Sequence, residues 1–148
     1  MPHHILISTD GSEIATKGLD HGLSLARDLG AKVTIVTVTE FLPTRIRGEG
    51  VWVATPEVLE SYEASQRELA AEVLDAAKAA AAKLGIEAET VHVPDSRPAE
   101  AIIETAKSQG CTMIVMSSHG RRGIGRLLMG SQAQEVLSHS PVPVLVVR

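Results

Sequence analysis

The sequence predicts an α/β fold, a three-layer, open, parallel five-stranded sheet with helices on both faces. Three observations predict it. Short apolar or β-branched runs alternate with longer helical patterns in the order βαβαβαβαβ, an alternation that implies parallel strands and right-handed crossovers. Aromatics are nearly absent, Phe41, Trp52 and Tyr62 being the whole set, so the core must be Val, Ile, Leu and Ala, as suits a parallel sheet under Ala-rich helices. The length of 148 residues is that of one domain, 1–148, with no room for a second. A domain of this length buries roughly 68–70% of the surface of its unfolded chain and needs no disulfide or metal staple.

The elements follow in order. Ile5-Leu6-Ile7 is the first strand, ended by the turn cluster Ser8-Thr9-Asp10-Gly11-Ser12. A helical pattern runs from Glu13 to about Leu29 and stops at Gly30. Its inward stripe is read as Ile14, Gly18, Gly22, Ala26 and Leu29, and glycines inside a helix point to close approach to a sheet. Val33–Val38 is the second strand. Glu40–Pro56 is irregular, with Pro43, Arg45, Arg47, Gly48 and Gly50, and so long a loop in a compact domain is usually functional or mobile. The next helix spans about Glu57 to Leu84, with Leu59, Tyr62, Leu69, Val73, Ala76, Ala80 and Leu84 on its inward face, and Gly85 ends it.

Glu87–Val93 alternates and reads as an edge strand. Pro98, tolerated in a first turn, opens a helix with Ile102, Ile103 and Ala106 inward and Gly110 as its stop. Thr112–Ser117 is apolar and reads as a central strand; a helix from about Ser131 to Ser138 and a strand from Val142 to Val147 complete the chain. With the first and fourth strands side by side, the strand order reverses between them, and ligands of open α/β sheets bind outside the strands' carboxyl ends at such a point. Thr9-Asp10 and Ser117-Ser118-His119-Gly120 then meet at one crevice.

Composition excludes several functions. The net charge of −4 gives no basic field for nucleic acid or an anionic membrane. No apolar run approaches the roughly 20 residues of a membrane span, and Met1-Pro2-His3-His4 has no basic leader region, so a cytoplasmic protein without membrane insertion is expected. Cys111, the only cysteine, precedes an apolar strand and reads as a small core residue in a reducing compartment. His3 and His4 point to opposite faces of a strand, and His21, His92 and His139 are scattered, so no metal site is expected from side chains alone.

The chemistry is concentrated in Ser117–Ser131, SSHGRRGIGRLLMGS, which leaves a buried strand through a Gly- and Arg-rich loop and enters a helix at Gly130-Ser131. No acidic residue occurs from Thr105 to Gln134, whereas Arg121, Arg122 and Arg126 all fall in the loop. Backbone N–H groups freed by glycines, together with a helix amino end, make an anion site suited to phosphates, and arginines add charge-assisted bonds. There is no Gly-Lys-Ser/Thr of a Walker loop; Gly123-Ile124-Gly125 lacks the third glycine of a dinucleotide fingerprint, Leu128 standing there; and Ser131 is not in a nucleophile elbow. Ser131 with Gln134 three residues on forms a capping-box pattern.

This segment resembles the ATP-binding signature of the universal stress protein family: glycine, two residues, glycine, nine residues, glycine and a small hydroxyl residue. It maps onto Ser117, Gly120, Arg121 through Met129, and Gly130-Ser131, with Ser117 departing from the usual first glycine. The likeness covers the whole chain, from Ile5-Leu6-Ile7-Ser8-Thr9-Asp10-Gly11-Ser12 to the closing Ser140–Arg148. It implies a Rossmann-like, adenine nucleotide alpha hydrolase-like fold. It also implies an adenosine contact at Asp10 and an adenine contact at the backbone of Val38, with Thr9, Met116, Ser117, His119, Gly120, Arg121, Gly130, Ser131, Gln132 and Ala133 as further nucleotide-binding residues. ATP, or AMP or ADP, is the implied ligand, with Mg²⁺ accompanying the phosphates.

Pro141 and Pro143 place the last strand at an edge. Its apolar Val142–Val147 run has no following helix to cover it, so a homodimer through this strand is expected, as the resemblance also implies. A regulatory nucleotide-binding dimer in stress adaptation is the expected function. The alternatives are a slow ATPase or self-phosphorylating enzyme, for which no general base is evident, and a dimeric adaptor that serves an unidentified protein partner and binds no nucleotide.

Overall fold

The computed structural model describes residues 2–40, 55–120 and 129–148, and the backbone of 46–47 and 50–51. The elements are β1 (His4–Ser8), α1 (Glu13–Leu29), β2 (Lys32–Val38), β3 (Ile46–Arg47), β4 (Gly50–Val51), α2 (Pro56–Lys83), β5 (Glu89–Val93), α3 (Pro98–Ser108), β6 (Met113–Ser117), α4 (Ser131–His139) and β7 (Val144–Val147). Five strands form one sheet in the order β5-β2-β1-β6-β7, and every pairing in it is parallel. β3 and β4 make a separate antiparallel pair within the 40–56 segment, which the sequence gives as irregular.

Alternation along β1 sends Ile5 and Ile7 to one face and Leu6 to the other. On the first face Ile5, Ile7, Val33, Ile35 and Val115 pack under Leu19, Leu23 and Ala26 of α1 and Leu74, Ala77 and Ala81 of α2. On the second, Leu6, Val36, Ile114 and Met116 pack under Ile102, Ile103 and Ala106 of α3 and Ala133 and Val136 of α4. β1 is the middle strand, and β6 lies beside it as expected for a switch point. Cys111 is buried in the second face.

The boundaries have local causes. Ser12 caps α1, its Oγ accepting from Ala15 N at 3.2 Å, and Thr55 caps α2 by accepting from Val58 N at 3.3 Å. Gly30 ends α1 at φ 62°, a left-handed conformation that favours glycine. β7 begins later than the expected Val142. Val142 N donates to Ser140 Oγ instead of a ladder partner, and only the carbonyl of Pro143 joins the sheet, accepting from Ile114 N.

Two helix stripes differ from expectation. α1 buries Ala15, Gly18, Leu19, Gly22, Leu23 and Ala26, whereas Ile14 and Leu29 are exposed. The glycines are the reason: a Cβ on Gly22 would lie 2.9 Å from Ile7 Cδ1 and one on Gly18 3.3 Å from Ser117 N. The helix rests on the sheet along its smallest residues. α2 repeats this, burying Ala70, Leu74, Ala77 and Ala81, one position on from the expected Leu69, Val73, Ala76 and Ala80, although Ala80 and the expected Leu84 still pack, partly buried, against the core.

Candidate functional site

A crevice of about 780 Å³ opens at the carboxyl ends of β1, β2 and β6, within the range of roughly 300–1,000 Å³ usual for small-molecule sites. Of the residues expected in the site, Thr9, Asp10, Val38, Met116, Ser117, His119, Gly120, Gly130, Ser131, Gln132 and Ala133 all line it. Arg121, like Arg122 and Arg126, lies outside the described residues. The same holds for the side chains of Arg45 and Arg47, and for Phe41 and Trp52.

The turn after β1 sets the first wall. Thr9 N donates to Val36 O at 3.0 Å, and Thr9 Oγ1 accepts from Gly11 N at 3.2 Å. Asp10 Oδ1 accepts from Ser12 N at 2.9 Å, an Asx turn that aims the carboxylate across the opening. A Cβ on Gly120 would stand 3.2 Å from Asp10 Oδ2, so the backbone after β6 runs directly against this carboxylate.

The opposite wall is a pinched loop. Ser118 N donates to Val147 O, and Gly130 N donates to Ser118 O, each at 2.8 Å, so the chain leaving β6 meets the chain entering α4. Gly130 is required there, because a Cβ would lie 2.9 Å from the carbonyl oxygen of Ser118. Ser117, in place of the first motif glycine, turns its hydroxyl to the His119 carbonyl at 2.7 Å. His119 Nδ1 is 3.1 Å from Ser118 Oγ.

The capping box read from Ser131 and Gln134 does not form. Gly130, with extended φ −63° and ψ 155°, is itself the N-cap and makes no side-chain cap bond. Ser131 is therefore the first helical residue, and Gln134 reaches back to Met129 O at 2.9 Å. Among the described residues, the amino end of α4 thus faces the crevice with no side chain capping it, and its first turn holds no acidic residue. Gln132 lines the crevice, but its Oε1 accepts from Ala99 N at 3.1 Å and so caps α3, which has no cap of its own. Ala133 and Met116 are buried and form the floor.

Among the described lining residues the charged side chains are those of Asp10 and Glu40, with no lysine or arginine. Among the described residues, attraction for an anion comes from the α4 backbone, whose partial positive charge and N–H groups favour phosphate or carboxylate. Thr39, on the lip, meets His92 Nε2 with its Oγ1 at 2.9 Å, and burial, then the nearby Arg67, holds the His92 imidazole below its usual pKa. Among the described residues, no group of three or more His, Cys, Asp or Glu could hold a metal ion, and no helix is long and apolar enough to cross a membrane.

Sequence reasoning missed one wall. Tyr62, Gln66, Leu69, Ala70 and Val73 of α2 also line the crevice, with Thr37, Thr39 and Glu40 from the end of β2 and Pro98 and Ile102 from α3. The helical spacing of Tyr62, Leu69 and Val73 was legible, but it reads as a stripe facing the core.

The model of the universal stress protein family matches residues 1–148. Universal stress protein YxiE of Bacillus subtilis is 30% identical over 149 aligned positions, which cover 100% of both chains. Universal stress protein UspA from Lactobacillus plantarum superposes with a TM-score of 0.83 at 21% identity, over 99% of this chain and 97% of that one. The universal stress protein from Archaeoglobus fulgidus in complex with dAMP gives a TM-score of 0.62 at 21% identity, over 100% and 98% of the two chains. With a family match along its whole length and an α/β sheet of matching architecture, the chain belongs to the universal stress protein family.

Proposed function

We propose that this protein binds an adenine nucleotide in the crevice, with the phosphates at the amino end of α4 and the ribose beside Asp10. The observation that carries the reading is the convergence of Asp10, Gly120 and the uncapped Gly130–Ala133 turn on one opening at the switch point of the sheet. The dAMP complex of the Archaeoglobus relative supports the ligand class. ATP is the ligand expected, and Mg²⁺ comes with it, held by phosphate oxygens. The cation also offsets repulsion between the phosphates and the carboxylates of Asp10 and Glu40.

The test is the thermal midpoint of nucleotide-stripped protein with Mg-ATP, ADP and AMP, beside Gly130→Ala. Saturation at 100 times Kd stabilises a folded protein by about 2.7 kcal/mol, so a rise of several degrees is expected in the wild type and a much smaller one in the variant. No rise with any of the three nucleotides contradicts the reading.

The protein works as a homodimer in this proposal. Among the described residues β7 pairs only with β6, and its four residues Val144–Val147 are half-buried, which leaves an apolar edge of the kind that pairs with a second copy. Sedimentation equilibrium should give twice the 15.7 kDa chain mass; a single-chain mass at all concentrations contradicts it. The cellular role is regulatory, in stress adaptation within the cytoplasm, and rests on family membership alone.

A further inference from the structure

We propose that α2 supplies the wall that recognises the purine, with Tyr62 stacking on the base and Leu69 packing beside it. The proposal rests on the adenine-nucleotide reading above and adds residues to it that the glycine motif does not contain.

The crevice has two unlike ends. α4 stands over the β6 side on one face of the sheet, and α2 stands over β2 on the other. A nucleotide with its phosphates at the α4 amino end and its ribose by Asp10 therefore directs its base toward the end of β2 and the α2 wall. This wall is suited to a flat apolar group. Tyr62 is half-buried, and its hydroxyl donates to Glu40 O at 3.3 Å, which ties the ring to the lip formed by Val38, Thr39 and Glu40. One turn on stand Gln66 and then Leu69, which also line the opening.

Exposure decides between this wall and the α3 side. Leu69 is 45% exposed, whereas Ile102, Met116 and Ala133 are 2%, 6% and 2% exposed and already committed to the core. Among the described lining residues, the large apolar side chains left exposed are Leu69 and, at 36%, Met129, and Met129 stands beside Gly130 at the phosphate end, so the surface a base would take from water is on α2. The fold does not need this surface either: α2 holds the sheet through Ala70, Leu74, Ala77 and Ala81, the neighbouring stripe. Tyr62 and Leu69 are bulky residues left over from packing, at helical spacing, facing the cavity.

The experiment is calorimetric titration of the full chain and of Tyr62→Ala, Tyr62→Phe and Leu69→Ala with Mg-ATP and with inorganic tripolyphosphate. Loss of a stacked aromatic from under a base costs roughly 1–3 kcal/mol, so Tyr62→Ala is expected to weaken ATP about tenfold or more and to leave tripolyphosphate affinity unchanged. Tyr62→Phe keeps the ring without the Glu40 bond and should bind ATP close to wild type; Leu69→Ala should weaken it severalfold. Circular dichroism checks that each variant is folded, and Leu69→Ala, at an exposed position, keeps the test open if Tyr62→Ala does not fold. Wild-type binding of ATP with equal affinity in Tyr62→Ala and Leu69→Ala overturns the base-wall proposal alone. Equal weakening of ATP and tripolyphosphate also overturns it, since the effect then lies in the phosphate end. No wild-type binding of ATP overturns the nucleotide reading on which it stands.

Discussion

The Ser117 hydroxyl donates to the carbonyl oxygen of His119 at 2.7 Å, so the side chain that departs from the family's glycine is spent on holding the turn after β6. Ser117 is 9% exposed, and the bond closes a short ring in which the chain reverses toward Gly120. The same turn is fixed from the other side by Ser118 N on Val147 O. A hydroxyl already engaged in this way is a structural element of the loop.

Replacing Ser117 by glycine is therefore expected to act on stability more than on affinity. The lost hydrogen bond is worth about 0.5–1.5 kcal/mol, and glycine in an ordered strand costs roughly 0.5–1 kcal/mol more. Chemical denaturation of Ser117→Gly should show a loss of about 1–2.5 kcal/mol. Its affinity for Mg-ATP should stay within about threefold of wild type, under ~0.7 kcal/mol. A large gain in affinity would mean that the hydroxyl obstructs the ligand.

Gly22→Val tests the seam between α1 and the sheet. A Cβ at this position would already be 2.9 Å from Ile7 Cδ1 and 3.2 Å from Val115 Cγ1, and both partners are fully buried. Overpacking of this kind costs about 1–3 kcal/mol, and the larger branched side chain should reach the upper end. Urea denaturation measures it; a change within ~0.5 kcal/mol would show that α1 can lift from the sheet without cost.

Acid should loosen the sheet at the amino-terminal end of its central strand β1. His4 is buried, with Nε2 2.7 Å from Thr34 Oγ1. Burial and then the Lys32 ammonium hold its pKa below 6.5, against a smaller opposing pull from Glu89. The folded state thus binds this proton less readily than the unfolded state does. The stabilisation from neutral His4 is fully present above pH 6.5 and is lost as pH falls through the depressed folded pKa. Denaturation of wild type at pH 8 and pH 5 should show lower stability at pH 5, and His4→Gln should show a smaller difference. His92 is shifted in the same direction, so some pH dependence should survive in that variant; an unchanged difference would rule out His4 as a contributor.

The Cys111 thiol should be inert in the native protein. It is 6% exposed, and burial raises its pKa to about 11, so the reactive thiolate is scarce and poorly accessible near neutral pH. Ellman's reagent at pH 8 should register almost no thiol before denaturation and one per chain in urea. Rapid native reaction would show that the Cys111 end of β6 opens readily.

The fold was legible because its signals are local. Strand runs such as Val33–Val38 and stops such as Gly30 fall where the structure has β2 and the end of α1. The reversal between β1 and β6 was expected on the condition that the first and fourth strands are neighbours, and the sheet places them side by side. The glycine spacing was equally direct, since Gly120 and Gly130 each stand where a Cβ would press on Asp10 or on the Ser118 carbonyl. The helix faces were less legible. Reading bulk as burial chose Ile14, Leu29 and Leu69, but α1 and α2 approach the sheet on glycine and alanine, and the bulky neighbours are displaced outward. The α2 wall of the crevice was missed for the same reason: Tyr62 and Leu69 carry a core-like pattern and face a cavity instead. The N-cap of α4 was misplaced by one residue because Gly130 offers no side chain to mark it.

The most direct measurement is a calorimetric titration of nucleotide-stripped protein with Mg-ATP. Saturable binding at one site per chain is the result expected from the Asp10–Gly120–α4 crevice. Absence of heat, with no thermal stabilisation at millimolar nucleotide, would contradict it and leave the pinched turn at Ser118–Gly130 as a helix entry only.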